Sequence, residues 1–569
     1  MKRSIALGSS ALLAVSALTA PGVTAQAASS SGRPVVTAVQ SDYGATVGYT
    51  LVVVRGSGFT GTPRVTFGST VATNVRVVSS HLMAVYAPGH RHGAVHVKVR
   101  TNAGTSRSTE ANLYTYIHQG AAGSWQAQTA PVPSGEPADD YVGVATSCPS
   151  TRACYSVGDY GPPPENATTS GPLITTRIDG RFTTQPAPVP SGVKRSGASL
   201  ERISCPAVGS CAAAGTYDNG HHGLLLVLAN GTWTVTKARL TTDTGRAQIK
   251  ALSCGAPGAC TVLSSDPVLY RLHDGTWTRS TIVPPGVRPG QHVRIGLEGL
   301  DCASAAYCLA AGEYGHYSAP FVDQLVNGKQ TVRRMPNSPQ DGPPTSTDAV
   351  QCPAVDRCTV LTLFANADSS GGKDASAFVT VQNGRSFAFR SITLPAVADP
   401  LSLFAYGDGT SSMSCPEVSV CFAASAYEVK RGYYLYAVAR LDHAKVHVYN
   451  LPRPRSRQQV LARDIDCASS TACTAVGEVD LAGRADPYEG KGAYFTFAHG
   501  VWTTKVAAPV SGQHTEPTST SYDAVDCPAP GACTADGDYE WDPEPFKDDG
   551  NVYYAYTKES GLVSVETPN

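Results

Sequence analysis

The chain has 569 residues, with 44 Lys and Arg against 45 Asp and Glu, and only 16% of its residues are charged. That balance excludes the basic field that holds nucleic acid, and a hydrophobic content of 42% excludes a disordered chain. The 55 glycines, 40 prolines and 16 cysteines point to many short strands joined by turns, and the length predicts more than one domain or one large repeat domain.

Residues 1–27 read as a secretory signal peptide. Lys2 and Arg3 form a basic start, an apolar small-residue run follows from Ile5 to Ala20, and Ala25-Gln26-Ala27 is a small-x-small cleavage site. Nothing downstream approaches the 18 apolar residues of a spanning helix, so no membrane insertion is expected. With no cysteine near the cleavage site, the product is expected outside the cell, released or held to a surface by binding. Disulfides persist in that oxidising setting.

From Pro34 to Ile117 apolar and polar residues alternate between Gly and Pro breaks, with strand-like runs at Tyr49–Val54, Arg64–Phe67, Leu82–Tyr86 and Ala94–Val99. The absence of cysteine and of helical periodicity predicts a sandwich of short strands. This segment resembles the IPT/TIG family, an immunoglobulin-like module. The likeness lies in Gly56-Ser57-Gly58-Phe59, Val65-Thr66-Phe67-Gly68, the Pro88-Gly89 break, Thr101-Asn102-Ala103-Gly104 and Tyr114-Thr115-Tyr116. It implies a spacer or protein-docking unit and no catalysis. His81, His90, His92 and His96 cluster here, but no carboxylate or cysteine joins them at ligand spacing, so they read as loop histidines.

Every cysteine belongs to a Cys-x5-Cys unit: Cys148/Cys154, Cys205/Cys211, Cys254/Cys260, Cys302/Cys308, Cys352/Cys358, Cys415/Cys421, Cys467/Cys473 and Cys527/Cys533. The first cysteines lie 57, 49, 48, 50, 63, 52 and 60 residues apart, the self-similarity of a repeat architecture. Zinc would need more ligands per unit, so the pairs read as disulfides. Each would remove about 2.4 kcal/mol of unfolded-chain entropy in the loop-closure model.

Around each unit one strand enters the first cysteine and a second leaves the other. After a variable loop comes a third strand, then a tight turn: Asn230-Gly231, Asp274-Gly275, Asn327-Gly328, Asn383-Gly384 or His499-Gly500. Asn-Gly and Asp-Gly favour two-residue hairpins because both central residues tolerate positive φ. A fourth strand follows, often opening on an aromatic such as Trp233, Trp277, Phe387 or Trp502. Four antiparallel strands in about eight repeats predict a β-propeller over residues 123–569, with eight blades preferred and seven as the alternative. Gly123–Pro131 reads as a lone fourth strand able to clasp the ring, yet Gly561–Val565 reads as the last repeat's own fourth strand, which leaves the closure open.

The repeat resembles that of a group of actinobacterial secreted proteins, through Cys473-Thr474-Ala475-Val476-Gly477 and Asn230-Gly231-Thr232-Trp233. That resemblance implies architecture and no particular activity. Asp274-Gly275-Thr276-Trp277 lacks the spacing of the sialidase Asp-box, so no sialidase activity is inferred.

In a propeller the Cys-x5-Cys and Asn-Gly turns share one face, and the loops between strands two and three and between repeats share the other. The second set varies in length and is the expected ligand face. Where strand two exits toward it, the chain places acids at Asp159, Glu313, Glu478 and Asp538, and aromatics at Tyr160, Tyr217, Tyr314, Phe364, Tyr427 and Tyr539. Carboxylates accept sugar hydroxyls and rings cover sugar C–H faces, so these are the candidate ligand contacts, weighed against a packing role for any repeat-wide position. The loop Asp536–Asp549 is dense in acids that suit Ca²⁺, but its spacing fits no helix-loop-helix site, and it reads as a solvated acidic loop. No cofactor and no bound metal is expected. Arg453-Pro454-Arg455-Ser456-Arg457 also reads as solvated.

No nucleophile elbow, His-Glu-x-x-His helix or phosphate-cradling loop occurs. The expected function is a secreted, non-catalytic binding protein for a glycan or a cell-surface partner, with the first domain as spacer or docking module. A polysaccharide hydrolase or lyase at the propeller mouth, and a scaffold of an extracellular assembly, are the alternatives. Oligomeric state is left open.

Overall fold

The computed structural model describes residues 32–567 apart from loops, the longest at 118–123, 131–140, 162–170, 239–247, 365–374, 405–410, 481–489 and 509–518. The signal-peptide segment lies outside the described residues. Among the described residues regular structure is almost entirely strand, with two single-turn 3₁₀ segments.

The first domain is a two-sheet sandwich. One sheet has the order Val35–Gln40, Leu51–Ser57, Leu82–Tyr86, Thr73–Ser79, and the other the order Tyr43–Ala45, Leu113–Ile117, Gly93–Thr101, Arg64–Phe67, Thr70–Val71. Tyr114 and Tyr116 alternate along one strand, so both rings enter the core, where they meet Phe67 edge-on at 4.9 and 6.4 Å. The Gly-Ser-Gly-Phe signature has a physical reason. A Cβ at Gly56 would collide with the Val35 carbonyl oxygen, Gly58 sits at φ +75°, and Phe59 fills the core.

Seven four-stranded antiparallel blades follow, at 141–186, 199–238, 249–281, 295–334, 346–392, 412–450 and 460–506. Blade 8 takes Ser519–Asp526, Thr534–Trp541 and Lys558–Thr567 from the C-terminus, and Ser124–Thr129 from the start of the propeller. The ring therefore has eight blades. The 561–565 segment belongs to the third strand of blade 8, not the fourth, because Lys558–Thr567 lies between its two partners. Trp125 anchors the closing strand by stacking on Tyr494 at 4.0 Å.

All eight disulfides form, joining Cys148 to Cys154, Cys205 to Cys211, Cys254 to Cys260, Cys302 to Cys308, Cys352 to Cys358, Cys415 to Cys421, Cys467 to Cys473 and Cys527 to Cys533. Each ties the first two strands of a blade, with Cα atoms 3.9–4.1 Å apart. The second cysteine of every pair is buried: Cys154, Cys211, Cys260, Cys308, Cys358, Cys421, Cys473 and Cys533 are at most 4% exposed. These positions are therefore interior staples and not points that a ligand could touch. Strand two runs between strands one and three, so its sulfur is covered by the neighbouring blade: Cys154 Sγ lies 3.2 Å from Thr534 Oγ1, Cys308 Sγ 3.4 Å from Thr261 Oγ1, and Cys533 Sγ 3.5 Å from Thr474 Oγ1.

The turn inside the Cys-x5-Cys loop repeatedly places a left-handed residue two before the second cysteine: Gly209, Gly258, Asp356, Ser419 and Gly531. The hairpins at Asn230-Gly231, Asn327-Gly328 and Asn383-Gly384 have positive φ at both residues, as does Asp179-Gly180 in blade 1, and blade 6 turns at His443.

The innermost strand of each blade has an edge with no strand beside it, so its N–H groups need other acceptors. In seven of the eight blades the residue before the first cysteine supplies them to the next blade. Ser147, Ser204, Ser253 and Ser414 accept from the N–H of Cys205, Cys254, Cys302 and Cys467 at 3.0–3.1 Å. Asp301 and Asp466 accept from Cys352 and Cys527 at 2.7 Å, and Asp526 accepts from Cys148 across the closing seam.

The sandwich docks on the propeller. Ala84 and Tyr86 join a core cluster that contains Phe404, Met413 and Leu435, and Tyr43–Ala45 lies against Val501–Val506. Arg453 is only 5% exposed and its guanidinium stands 5.5 Å from the Tyr86 ring centroid, so this part of the basic stretch is buried rather than solvated. The connection before blade 6, expected to be a free variable loop, sends Phe404 into this same core, and its carbonyl accepts a bond from Ser376 Oγ.

Candidate functional site

The inner strands pack against one another around the ring and surround its axis. Four residues before the first cysteine in seven of the eight blades, the strand carries a β-bulge, which leaves one residue unpaired. The bulged residues are Val144, Glu201, Lys250, Glu298, Asp348, Arg463 and Asp523, and Ser411 holds the same offset in blade 6. Because a bulge re-aims its side chain, the repeat presents a ring of mostly charged groups on the inner edge, toward the variable-loop end. Neighbours interact along it: Lys250 Nζ lies 3.9 Å from Glu298, Arg463 Nε lies 3.4 Å from Asp523, and Glu201 accepts from the Ile249 N–H at 3.1 Å.

The four acids picked from strand two stand directly behind this ring. Burial pushes Asp159 up to about 7, opposed by the Leu200 N–H it accepts and reinforced by Glu201. Burial also pushes Glu313 up to about 7, reinforced by Glu298 and Asp348, and its Oε2 is buried without a hydrogen-bond partner. Asp348 rises to about 6, chiefly from burial. On the far side Asp538 accepts from Ser521 Oγ at 2.8 Å and is hydrogen-bonded to Asp523, whose carboxyl rises to about 7 through burial and then the Asp538 charge. Glu478 lies 3.4 Å from Arg463. Glycines make the room: a Cβ at Gly296 would strike Glu313 Oε1, and one at Gly490 would strike Glu478 Oε2.

The aromatics divide. Tyr160, Tyr427, Tyr539 and Phe364 are buried and pack within or between blades. The Tyr427 hydroxyl donates to Asn450 Oδ1, and Tyr539 lies 3.5 Å from Thr129 Oγ1 of the closing strand. These four rings are spent on packing, which corrects the expectation that they cover a sugar. Tyr217 and Tyr314 are part-exposed. Tyr217 tilts against His222, and Tyr314 donates to the Pro285 carbonyl.

Sequence reasoning missed the bulge ring, although its offset from the cysteines is constant. Its residue types differ from blade to blade, so no motif marks it. Of the acidic loop, Asp536 is buried and accepts from Ser156 Oγ at 2.9 Å, and Asp538 is engaged as above. Asp542, Glu544 and Asp549 lie outside the described residues. Among the described residues no group of three acidic, His or Cys side chains is placed to hold a metal ion. Of the first domain's histidines, His92 lies outside the described residues, and His81, His90 and His96 each have separate partners. His96 contacts Asn112 at 2.8 Å, His90 contacts its neighbour's carbonyl and stacks on Tyr116, and His81 contacts Ser80.

The site is thus a charged rim at the axial mouth of an eight-bladed propeller that carries an immunoglobulin-like domain. Residues 34–116 match the IPT/TIG domain family. A comparison with curated proteins finds no match. Among solved structures the chain is similar to "YCF48 bound to D1 peptide", at 11% identity over 78% of this chain and 97% of that one, with a TM-score of 0.36. It is also similar to YCF48 from Cyanidioschyzon merolae, at 10% identity over 78% and 98%, TM-score 0.36. A third is the β-propeller domain of the Trilobed protease from Pyrococcus furiosus, at 8% identity over 66% and 100%, TM-score 0.35. The blade count rests on the strand pairing above. The eight disulfides are consistent with an extracellular protein. Among the described residues no helix is long and apolar enough to cross a membrane.

Proposed function

We propose that this protein is an extracellular, non-catalytic binding protein that takes a glycan or another hydroxyl- and amine-bearing surface ligand at the axial mouth of its propeller. One observation carries this reading: the bulge ring with its second tier of acids, where Glu201, Glu298, Asp348 and Asp523 outnumber Lys250 and Arg463. Carboxylates held on rigid strands accept hydrogen bonds from sugar hydroxyls and ammonium groups without first being ordered. The Asp523–Asp538 pair does not suit glycoside hydrolysis. Its carboxyls are in hydrogen-bond contact, whereas retaining and inverting enzymes keep theirs about 5–9.5 Å apart. The docked IPT/TIG domain supports a scaffold contribution, since it fixes one side of the loop-rich face. The test is a glycan array with the mature protein, followed by product analysis on each hit. Binding without turnover agrees with the proposal, and turnover overturns its non-catalytic part.

A further inference from the structure

One residue deeper than the bulge ring, the inner strands carry a second layer. Three residues before the first cysteine, five blades have only Ala or Gly: Ala145, Ala251, Gly299, Ala349 and Ala524. The other three have Ser412, Asp464 and Arg202. Ser412 and Asp464 show what this offset faces. Ser412 Oγ accepts from the Ile465 N–H of blade 7 at 3.3 Å, and Asp464 accepts from the Val525 N–H of blade 8 at 2.8 Å. Both donors lie two residues before a first cysteine, on the unpaired inner edge of the next blade. The same register turns the N–H groups of Thr146, Ile203, Leu300, Val350 and Met413 to that edge, where the preceding blade offers Ala or Gly and no side-chain acceptor. At Gly299 a Cβ would lie 3.0 Å from the Val350 nitrogen, so the glycine leaves that donor uncovered. Asp464 shows that a carboxylate suits such a seat, since it also accepts from the Ser412 hydroxyl at 2.5 Å and from the Ile465 N–H at 2.9 Å.

Arg202 is the one cation at this offset. Its Nε donates to the Lys250 carbonyl of blade 3 at 3.3 Å, and its Nη1 donates to the Glu201 carbonyl at 2.8 Å. These two bonds fix the guanidinium, and its Nη2 has no hydrogen-bond partner among the described residues. The side chain is exposed, and its charge acts on Asp464 of blade 7 across the ring, so it stands in the open channel. The carboxylates around it are engaged elsewhere. Glu201 accepts from the Ile249 N–H at 3.1 Å and from the Thr216 hydroxyl at 3.4 Å, and Asp464 serves the three donors above.

We propose that this layer receives the carboxylate of a saccharide ended by a uronic acid, with Arg202 as the residue that selects it. This rests on the reading of a glycan at the axial mouth and places the glycan's tip. A carboxylate accepts charge-assisted hydrogen bonds from a guanidinium and from backbone N–H groups, as Asp464 does from the donors beside it. The guanidinium is already held in place, so little ordering is lost on binding. The rim sets the direction of entry. Hydroxyl and ammonium groups stay level with Glu298, Asp348 and Asp523, and a chain with an acid on every sugar is repelled there. A single terminal uronate therefore enters end-on, past the rim, to Arg202.

The experiment is an array of oligosaccharides ended by glucuronic or galacturonic acid, each beside its neutral counterpart, together with peptides whose C-termini are free or amidated. It is read with the mature wild-type protein, R202Q, R202K and A145S, and the melting profile of each is recorded. The wild-type chain is expected to hold the uronate roughly ten- to a hundredfold more tightly than the neutral counterpart, the span of one hydrogen bond to a charged group. R202Q removes that preference and R202K keeps part of it. A145S offers the Ile203 N–H the hydroxyl that Ser412 offers Ile465, and it weakens uronate binding. Equal binding of acidic and neutral sugars by the wild-type chain, or a preference that survives in folded R202Q, overturns the assignment of Arg202 and leaves glycan binding at the mouth standing. Binding of no sugar overturns both. A preference shown only by peptides with a free C-terminus overturns the saccharide as the source of the carboxylate. The wild-type comparison decides without any variant.

Discussion

The sandwich at 34–117 has no cysteine, and its two sheets close over one continuous core around Phe59, Phe67, Tyr114 and Tyr116. The propeller carries all 16 cysteines and divides its apolar side chains into a series of clusters, mostly between neighbouring blades. The difference follows from where each strand finds its partners. In the sandwich every core residue faces an opposite sheet a few residues away in space. In a blade the sheet is narrow, its inner edge is unpaired, and each face must be covered by a separate repeat. A short disulfide and a side-chain bridge to the next blade do locally what a second sheet does in the sandwich. The first domain can therefore tolerate the loss of any one edge contact, whereas the ring depends on its closure.

The closing strand should accordingly matter most. Replacing Ser124–Thr129 by a flexible Gly-Ser segment removes the outer strand of blade 8 and the Trp125–Tyr494 stack. The propeller transition is expected to broaden and fall sharply in calorimetry while the sandwich transition stays in place. Loss of both together would show that the two domains do not differ in this way.

Next come the disulfides. Cys467→Ser with Cys473→Ser should cost about 2–4 kcal/mol in the propeller transition, the usual range for a native bridge. Reductant should lower that transition and leave the sandwich, which has no cysteine, unchanged.

A smaller effect is expected at Gly296. Its alanine variant forces Glu313 to move, at about 1–3 kcal/mol for overpacking. A crystal structure of the variant should show Glu313 displaced, with any ligand affinity reduced. Unchanged affinity with a displaced Glu313 would remove that carboxylate from the site.

Least is expected of the docking contact. Arg453→Ala should weaken the seat of the sandwich by about 1–2 kcal/mol, the range for a desolvated cation over an aromatic ring. Small-angle scattering should then show a larger maximum dimension with both domains still folded.

Much of the fold was legible because it rests on local backbone chemistry. Cys-x5-Cys and Asn-Gly report two of the three hairpin positions in a blade, through a covalent restraint and through residues that accept positive φ. Blade 6 gives no such report, since its turn at His443 uses a residue with no glycine after it. Ring closure was not legible, because Lys558–Thr567 has the pattern of an outer strand and only its pairing on both sides makes it the third. The acids Asp159, Glu313, Glu478 and Asp538 share a fixed offset from the second cysteine, which places them behind the bulge ring. The aromatics beside them misled, because Tyr160, Tyr427 and Tyr539 recur to fill the space between strands. A Ser or Asp precedes seven of the eight first cysteines, but its purpose belongs to the edge of the next blade, which sequence spacing alone does not reveal.

The functional reading stands on ligand binding at the axial mouth through carboxylates on the loop-rich face. It is decided by glycan-array and calorimetric binding of the mature protein beside E298Q/E313Q/D348N, with the melting profile of each recorded. Binding by the wild-type chain should fall at least tenfold in a folded triple variant. Binding of equal strength in that variant would contradict the reading.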